Sequence, residues 1–328
     1  MTKLKIVIPG GTGQVGSLLA AHFHAQGNAV TVLSRSPRTS PWRVVAWDAK
    51  TAGAWVDELE QSDVCINLTG RSVNCRYNAA NRREIYDSRI EPTLLLNRVI
   101  AELHAPPRVW LNASTATIYR HALDRQMDEA TGELGGNESE APDTWNFSIH
   151  VAKGWESAFF STETPRTRKV AMRSAIVFSP TRGGIFEVLS KLVWRGLGGT
   201  NGSGSQLVSW IHEDDFVRAV DLLIAREDLS GPINLASPNP LPNRDFLRAL
   251  RQAWGVRFGL PAAAWMIEIG CFLMRTESEL VLKSRNVIAG RLAEAGFRWL
   301  FPDWPEAAQN LVQRWRAAGY GGPNARKI

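Results

Sequence analysis

Four glycines near the amino terminus stand where a chain could bind a phosphate group. Gly10, Gly11, Gly13 and Gly16 follow an apolar, strand-like stretch and open a stretch with helical spacing, so that both GxGxxG and GxxGxxG are present. Glycine permits a tight turn and a close approach of the backbone to a pyrophosphate, and a helix N-terminus offers free amides to the anion. The predicted dinucleotide-binding residues of this turn are Gly10, Gly11, Thr12, Gly13, Gln14, Val15 and Gly16. A purely structural turn is the alternative.

The end of the second predicted strand indicates which dinucleotide binds. An NAD site usually carries Asp or Glu about 20 residues after the glycines, where the carboxylate holds the ribose hydroxyls. This chain has "TVLSRSPR" there, with Ser34, Arg35 and Arg38 and no acid. Because guanidinium groups bind phosphate through charge-assisted hydrogen bonds, we predict NADP(H), with NAD(H) the less favoured cofactor. The alternative is that both arginines are simply solvated.

The elements that would position these residues alternate along the chain. Hydrophobic periodicity predicts strands at 4–9, 29–33, 43–46, 63–68, 107–112, 168–173, 207–211 and 231–238. It predicts helices at 14–26, 78–104, 146–162, 184–195, 213–226, 243–254, 261–274 and 303–317. The order predicts an α/β fold, a doubly wound parallel Rossmann sheet. We place this domain at 1–180, with 207–238 as a possible return to it, and a smaller mixed α/β substrate domain at 181–328.

Composition is that of a globular protein with a small-molecule ligand. The formal charge of +6 comes from scattered residues, so we expect no nucleic-acid partner. The three cysteines lack metal-ligand spacing, which predicts free thiols and no metal site. With no room for a signal peptide before the first strand, and only a short apolar segment at 261–274, we expect a cytoplasmic protein without a membrane span, either monomer or homodimer.

Several motifs together resemble a known family. They are "GGTGQVG" at 10–16, "INLTG" at 66–70, "REIYDSRIEPT" at 83–93, "ASTATIY" at 113–119, "MRSAIVFSP" at 172–180, "GLGGTNGSGSQLVSWIHEDD" at 196–215 and the C-terminal "ESELVL…EAGFRW". The chain resembles, from end to end, the atypical extended short-chain dehydrogenases/reductases that are similar to nucleoside-diphosphate-sugar epimerases and carry a C-terminal domain of unknown function.

The resemblance implies further cofactor contacts. It places Leu68, Thr69 and Gly70 against the cofactor at the end of the fourth strand, with an ordinary strand terminus as the alternative. It also places Glu84 and Arg89 near the cofactor, although a surface charge pair fits nearly as well. It implies that Val177 lines the nicotinamide pocket, unless this residue belongs to the core.

The catalytic YxxxK of ordinary relatives is missing. None of the four tyrosines has a lysine four residues later, and on the expected helix Ile149 stands four residues before Lys153. Its absence agrees with the atypical branch. The resemblance aligns Thr115 with the catalytic Ser or Thr, and Tyr119 would be the acid if a neighbouring cation lowered its pKa. The alternative is that the Ser and Thr residues of this segment merely finish a strand. Lys153 would contact the ribose, or be an exposed helix residue.

Other polar residues carry weaker predictions. Ser148 and His150 are minor catalytic candidates that fit helix-surface positions better. His212 precedes Asp214 and Asp215, and we favour one of those acids as a helix cap, with His212 lining the substrate side as the lesser alternative. The glycine-rich segment 196–206 would wrap a phosphate-bearing substrate or serve as a mobile link.

Two functions remain open at this point. One is an NADP(H)-dependent oxidoreductase or epimerase-like enzyme that acts on a small molecule, for instance one similar to a nucleotide sugar. The other is a catalytically silent NADP(H)-binding sensor or assembly protein, which the missing YxxxK favours.

Overall fold

A computed structural model describes residues 3–139 and 141–322. Its strands are β1 (Lys5–Pro9), β2 (Ala29–Ser34), β3 (Arg43–Ala46), β4 (Val64–Asn67), β5 (Val109–Thr115), β6 (Arg168–Ser174), β7 (Ile176–Phe178), β8 (Leu207–Val208), β9 (Trp210–His212), β10 (Gly231–Leu235) and β11 (Leu241–Pro242). Its α-helices are α1 (Gln14–Ala25), α2 (Val56–Leu59), α3 (Ala79–Glu102), α4 (Asp143–Phe160), α5 (Ile185–Trp194), α6 (Glu213–Ala225), α7 (Asn243–Trp254), α8 (Ala264–Leu273), α9 (Glu279–Leu282), α10 (Gly290–Glu294) and α11 (Trp304–Ala317).

Seven parallel strands form the main sheet in the order β10-β6-β5-β4-β1-β2-β3. The register pairs Ile6 of β1 with both Val30 of β2 and Val64 of β4. The strand order reverses between β1 and β4, so ligands are expected in the crevice at the carboxyl ends of these strands. The predicted Rossmann fold is confirmed.

Both faces of the sheet are covered, which explains the continuous apolar runs of its strands. One face packs against α1 and α6 through residues such as Phe23 and Phe216, and the other packs against α3 and α4 through residues such as Leu96 and Phe159. All the residues of β4 are buried. The sheet is therefore a rigid platform for the loops at its carboxyl edge.

The C-terminal part has its own core, which α5, α7 and α11 build together. Four fully buried tryptophans, Trp210, Trp254, Trp304 and Trp315, dominate this cluster. This packing gives a structural account of many of the chain's thirteen tryptophans. The strand β10 returns to the main sheet and pairs with β6. The division of the chain into two domains at residue 180 stays a prediction.

The structure differs from the predicted elements mainly in short segments. The sequence analysis missed β7, β11, α2, α9 and α10, which have two to five residues each. Helix α8, which corresponds to the apolar segment 261–274, is mostly exposed, since only Ile267 and Cys271 are buried within it. Within the described residues, every helix is too short or too polar to cross a bilayer, and no group of three His, Cys, Asp or Glu side chains could hold a metal ion.

Candidate functional site

The glycine turn after β1 is a backbone cradle that leaves no space for side chains. Gly10 has φ +73°, and a Cβ there would lie 2.8 Å from the amide nitrogen of Thr69. A Cβ on Gly16 would lie 2.5 Å from the backbone of Gly11, so this contact holds α1 against the turn. Only glycine fits at both positions.

The amino end of α1 is open to an anion. Gly13 caps the helix without a side-chain hydrogen bond, and no acidic residue occurs in the first turn. Around a Cβ placed on Gly13 there is nothing within 4 Å. The first amides of α1 therefore have space in front of them and the positive end of the helix dipole behind them, which suits a pyrophosphate.

A cavity of about 340 Å³ extends from this turn along the ends of β2, β3 and β4, and we call it the first cavity. Six of the predicted cofactor residues line it: Gly10, Thr12, Ser34, Arg35, Thr69 and Gly70. Arg38 and Lys50 join Arg35 on the side of β2 and β3, and Asp87 and Glu91 lie on the α3 wall. The side next to β2 therefore has guanidinium groups that can bind a 2′-phosphate, while the Asp48 carboxylate lies beside Lys50 at the end of β3.

The sequence analysis missed the residues that follow β3. Trp47, Asp48 and Lys50 line the first cavity. The hydroxyl of Thr51 and the amides of Thr51 and Lys50 donate to the Asp48 carboxylate at 2.6, 2.9 and 2.9 Å, and these bonds lower the pKa of Asp48 to about 2. The stretch "WDAK" at the end of a parallel strand was the available signal.

Other predicted cofactor residues lie beside the cavity. The amide Nε2 of Gln14 donates to the Thr181 hydroxyl at 3.0 Å, which ties the start of α1 to the segment after β7. Val15, Leu68 and Val177 pack against the sheet core. A Cβ on Gly11 would lie 2.8 Å from the Ile8 side chain, so this glycine permits the close packing of the turn.

A second cavity of about 220 Å³ lies at the carboxyl end of β5. Predicted residues Thr115 and Arg89 line it, together with the hydroxyl-bearing residues Tyr77, Ser114, Thr117 and Ser148, the ion pair of Glu279 and Arg285, and the apolar or aromatic residues Val73, Ile85, Phe147, Val151, Ala152, Trp155 and Leu280. The two cavities lie along the same carboxyl edge of the sheet, one at the ends of β2, β3 and β4 and the other at the end of β5.

The cavity face of α4 carries Ser148, Val151, Ala152 and Trp155, which have the spacing of one helix face. Ile149 and Lys153 face the loop before α4 instead, since a Cβ on Gly136 would lie 3.2 Å from Ile149 and 3.5 Å from the Lys153 ammonium. The two positions of a YxxxK pair that face the cavity are thus occupied by Ser148 and Ala152. The prediction of Lys153 as a ribose contact does not fit this placement.

Tyr119 lies in a buried polar cluster and not at the cavity. Its hydroxyl donates to Asn234 Oδ1 at 3.0 Å and accepts from Arg173 at 2.9 Å, and Arg173 pairs with Glu156 at 2.7 Å. Burial raises the pKa of Tyr119 even though the Arg173 cation opposes the shift. The predicted role of Tyr119 as an activated acid is therefore not supported by its surroundings, which give it a structural role.

Thr115 and Ser148 do reach the second cavity. The Thr115 hydroxyl accepts a hydrogen bond from the Thr117 amide at 3.1 Å, which caps a short 3-10 turn. Ser148 donates to the Glu279 carboxylate and is the hydrogen-bonding neighbour of the Tyr77 phenol. Burial raises the pKa of Tyr77 to about 12, so this phenol is protonated at neutral pH.

His212 is itself the cap of α6, in place of the acids that follow it. Its Nδ1 accepts from the Asp214 amide at 3.1 Å, and its ring is buried against Phe301 at 4.0 Å between centroids. Asp215 instead accepts from the amides of Leu300 and Phe301. Burial lowers the pKa of His212 to about 4, so the imidazole is neutral at pH 7.

The remaining predictions concern charge pairs and the glycine-rich segment. Glu84 pairs with Arg71 at 2.7 Å rather than with Arg89. His150 stacks on Tyr86 at 5.3 Å between ring centroids. The segment 196–206 is held by backbone hydrogen bonds of 2.7–2.9 Å to residues 260–262, which does not fit a mobile link.

Comparisons with known proteins agree with this geometry. The family model described as "NAD dependent epimerase/dehydratase family" matches residues 6–236, and a "Domain of unknown function (DUF1731)" model matches residues 262–311. The second match includes the segment that supplies Glu279 and Arg285 to the second cavity.

Named relatives cover almost the whole chain. The epimerase family protein SDR39U1 of Bos taurus is 31% identical over 314 residues, which is 94% of this chain and all of the relative. The epimerase family protein MT2273 of Mycobacterium tuberculosis is 31% identical over 303 residues, covering 91% of this chain and 94% of the relative.

Solved structures support the same fold. The structure of human SDR39U1 (isoform 2) with NADPH matches with a TM-score of 0.82 at 26% identity, covering 94% of this chain and 99% of the other. A UDP-N-acetylglucosamine 4-epimerase from Methanobrevibacter ruminantium in complex with UDP-N-acetylmuramic acid matches with a TM-score of 0.74 at 15% identity, covering 97% of this chain and 100% of the other, which shows the shared fold alone.

Proposed function

The chain belongs to the NAD dependent epimerase/dehydratase family, and we propose that it binds NADP(H) and moves a hydride between the nicotinamide and a small carbonyl or alcohol substrate. The observation that carries the proposal is the uncapped start of α1, which faces a glycine cradle and opens into a cavity that three cations line on one side. The NADPH in the human relative's structure supports the choice of cofactor.

The residues of the first cavity would hold the adenosine half. The first amides of α1 would bind the pyrophosphate, and Arg35 would bind the 2′-phosphate with Arg38 beside it. The residue that favours NAD(H) in related folds is an acid at the end of β2, and this chain has Ser34 there.

The residues of the second cavity would hold the reacting half. When bound, the nicotinamide supplies or accepts the hydride. Thr115 would orient a substrate oxygen, and Tyr77 would donate the proton, since its phenol lines the same cavity whereas that of Tyr119 does not. Because burial raises the pKa of Tyr77 to about 12, this role requires the bound cofactor and substrate to lower that pKa.

A second candidate function follows from one observation. The YxxxK positions on the cavity face of α4 carry Ser148 and Ala152, neither of which can replace a tyrosine and lysine pair. A silent NADP(H)-binding sensor would have this property too. It would bind NADPH with the same Arg35 dependence and would show no turnover that depends on Tyr77.

Titration calorimetry with NADPH and NADH tests the cofactor proposal. We expect wild-type protein to prefer NADPH and Arg35→Ala to weaken NADPH binding by about tenfold or more while NADH binding stays the same. Arg98→Ala, an exposed arginine on α3, is the matched control and should change neither affinity. Equal affinity of wild-type protein for the two cofactors would reject NADP(H) specificity.

A further inference from the structure

The second cavity contains one positive charge that its own walls do not neutralise. Two arginines line it, and Arg285 lies 3.1 Å from the Glu279 carboxylate in a buried pair. For Arg89, the hydrogen-bond acceptors in the described chain are the carbonyl oxygens of Ile85 at 2.8 Å and Arg71 at 3.0 Å. Within the ranges 3–139 and 141–322, no carboxylate forms a salt bridge with Arg89.

The Arg89 guanidinium is fixed in place but keeps free donors. A guanidinium has five N–H groups, and the two backbone carbonyls take two of them. The group also lies over the Trp155 ring, 5.2 Å from its centroid, and a Cβ on Gly70 would be only 3.1 Å from the guanidinium carbon. A held guanidinium with unused donors is prepared to bind a planar anion through two hydrogen bonds.

A comparison with the buried Arg173 shows what a carboxylate partner changes for an enclosed guanidinium. Arg173 is paired with Glu156 at 2.7 Å, and the Glu156 carboxylate keeps the Arg173 pKa raised in spite of burial. Burial of the Arg89 guanidinium lowers its pKa to about 10. An anion bound at Arg89 would remove this unfavourable burial of an unpaired charge.

The size of the space restricts the anion to a small molecule. Drug-sized ligands occupy pockets of about 300–1,000 Å³, and the second cavity has about 220 Å³. The neighbouring third cavity has about 80 Å³, and the side chains of Leu280 and Arg285 stand between the two. Because the proposed function also places the nicotinamide in this cavity, the volume left for a substrate is smaller still, which excludes a whole nucleotide sugar and favours a small anion.

We propose that Arg89 binds the carboxylate of a small organic acid in the second cavity, and that the substrate is therefore a small oxo or hydroxy acid. Thr115 and Tyr77 line the same cavity and would face the substrate's oxygen. The assignment of the acid as substrate rests on the proposed function, whereas the binding of a carboxylate at Arg89 does not.

Titration calorimetry with oxamate and benzoate, and with their neutral counterparts oxamide and benzamide, tests this inference. Each titration is carried out with and without saturating NADPH on wild-type protein, Arg89→Met and Arg89→Lys. Arg83→Met, an exposed arginine on the same helix, is the matched control. Circular dichroism and the NADPH affinity of each variant check that the fold is intact.

We expect the wild-type protein to bind at least one carboxylate more tightly than its amide, and Arg89→Met to weaken that binding by about tenfold or more. Arg89→Lys keeps the charge without the planar fork and should lose about threefold, which provides the comparison should Arg89→Met fail to fold. Arg83→Met should bind as the wild-type protein does.

Three results would overturn the inference: carboxylates no tighter than amides, equal carboxylate affinity in wild-type and Arg89→Met protein, or a fall in NADPH affinity in Arg89→Met that matches the fall for the carboxylate. The last result would mean that Arg89 contributes to NADPH binding rather than to a separate carboxylate site. Carboxylate binding that depends on Arg89 in a protein without NADPH affinity would instead reject the proposed function and leave this inference standing.

Discussion

The two cavities are built in different ways from the same chain. The first cavity is built around backbone, with glycines that allow close contacts and helix amides at the turn after β1, and its side chains come from the first 92 residues of the chain. The second is made of side chains from segments far apart, with Tyr77, Thr115, Ser148 and Glu279 spanning about 200 residues. The proposed dinucleotide site therefore depends largely on a local sequence pattern. The proposed site for the nicotinamide and the substrate depends on tertiary packing.

The largest expected effect distinguishes Gly16, which packs against backbone, from Gly13, which faces open space. Gly16→Ala places a Cβ 2.5 Å from the Gly11 backbone, so we expect loss of NADPH binding together with destabilisation by about 2 kcal/mol or more in urea unfolding. Gly13→Ala has nothing within 4 Å and is the matched control, which should weaken NADPH binding without changing unfolding by more than about 0.5 kcal/mol. Equal destabilisation by both substitutions would contradict the claim that the close contact with the Gly11 backbone requires glycine at position 16.

The second cavity should respond in turnover rather than in stability. Tyr77→Phe removes the proposed proton donor, so we expect a fall in kcat of about 10²-fold or more with unchanged NADPH affinity, measured by NADPH oxidation with a small oxo acid. Full turnover by Tyr77→Phe would exclude this phenol as the donor.

His212 is expected to make the free energy of unfolding depend on pH, and it lines neither cavity. Its pKa is about 4 in the folded protein and 6.5 ordinarily, so the unfolded chain binds the proton more readily between these values. Stability is thus fully present above pH 6.5 and decreases as pH falls towards 4, by up to about 3 kcal/mol. Urea unfolding of His212→Asn, which keeps a capping side chain, should lack this decrease. The same pH profile in wild type and variant would contradict the assignment.

A smaller effect distinguishes Tyr119 from Tyr77. Tyr119→Phe removes one buried hydrogen bond from Arg173, which keeps Glu156, and one from Asn234, which keeps Ile288. We therefore expect destabilisation by about 1–3 kcal/mol in urea unfolding and kcat close to the wild-type value. A large loss of kcat with unchanged stability would restore Tyr119 as a catalytic residue.

The sequence predicted the sheet, its main helices and the first cavity because these depend on local patterns. Gly10, Thr12 and Arg35 could be found from motif and strand position, and Thr69 from the family resemblance. The sequence did not predict the roles of Tyr77, Glu279 or Arg285. No spacing along the chain reveals that the loop before α3 and the segment at α9 meet at the end of β5. The misplacement of Ile149 and Lys153 has a simpler cause, since one residue of register on α4 rotates a side chain by about 100°.

A crystal structure of the protein with NADPH tests the central claim most directly, namely that one dinucleotide spans both cavities. We predict the 2′-phosphate within hydrogen-bond distance of Arg35 and the nicotinamide ring inside the second cavity beside Thr115 and Tyr77. A nicotinamide outside that cavity, with Tyr77 and Arg89 remote from it, would contradict the account.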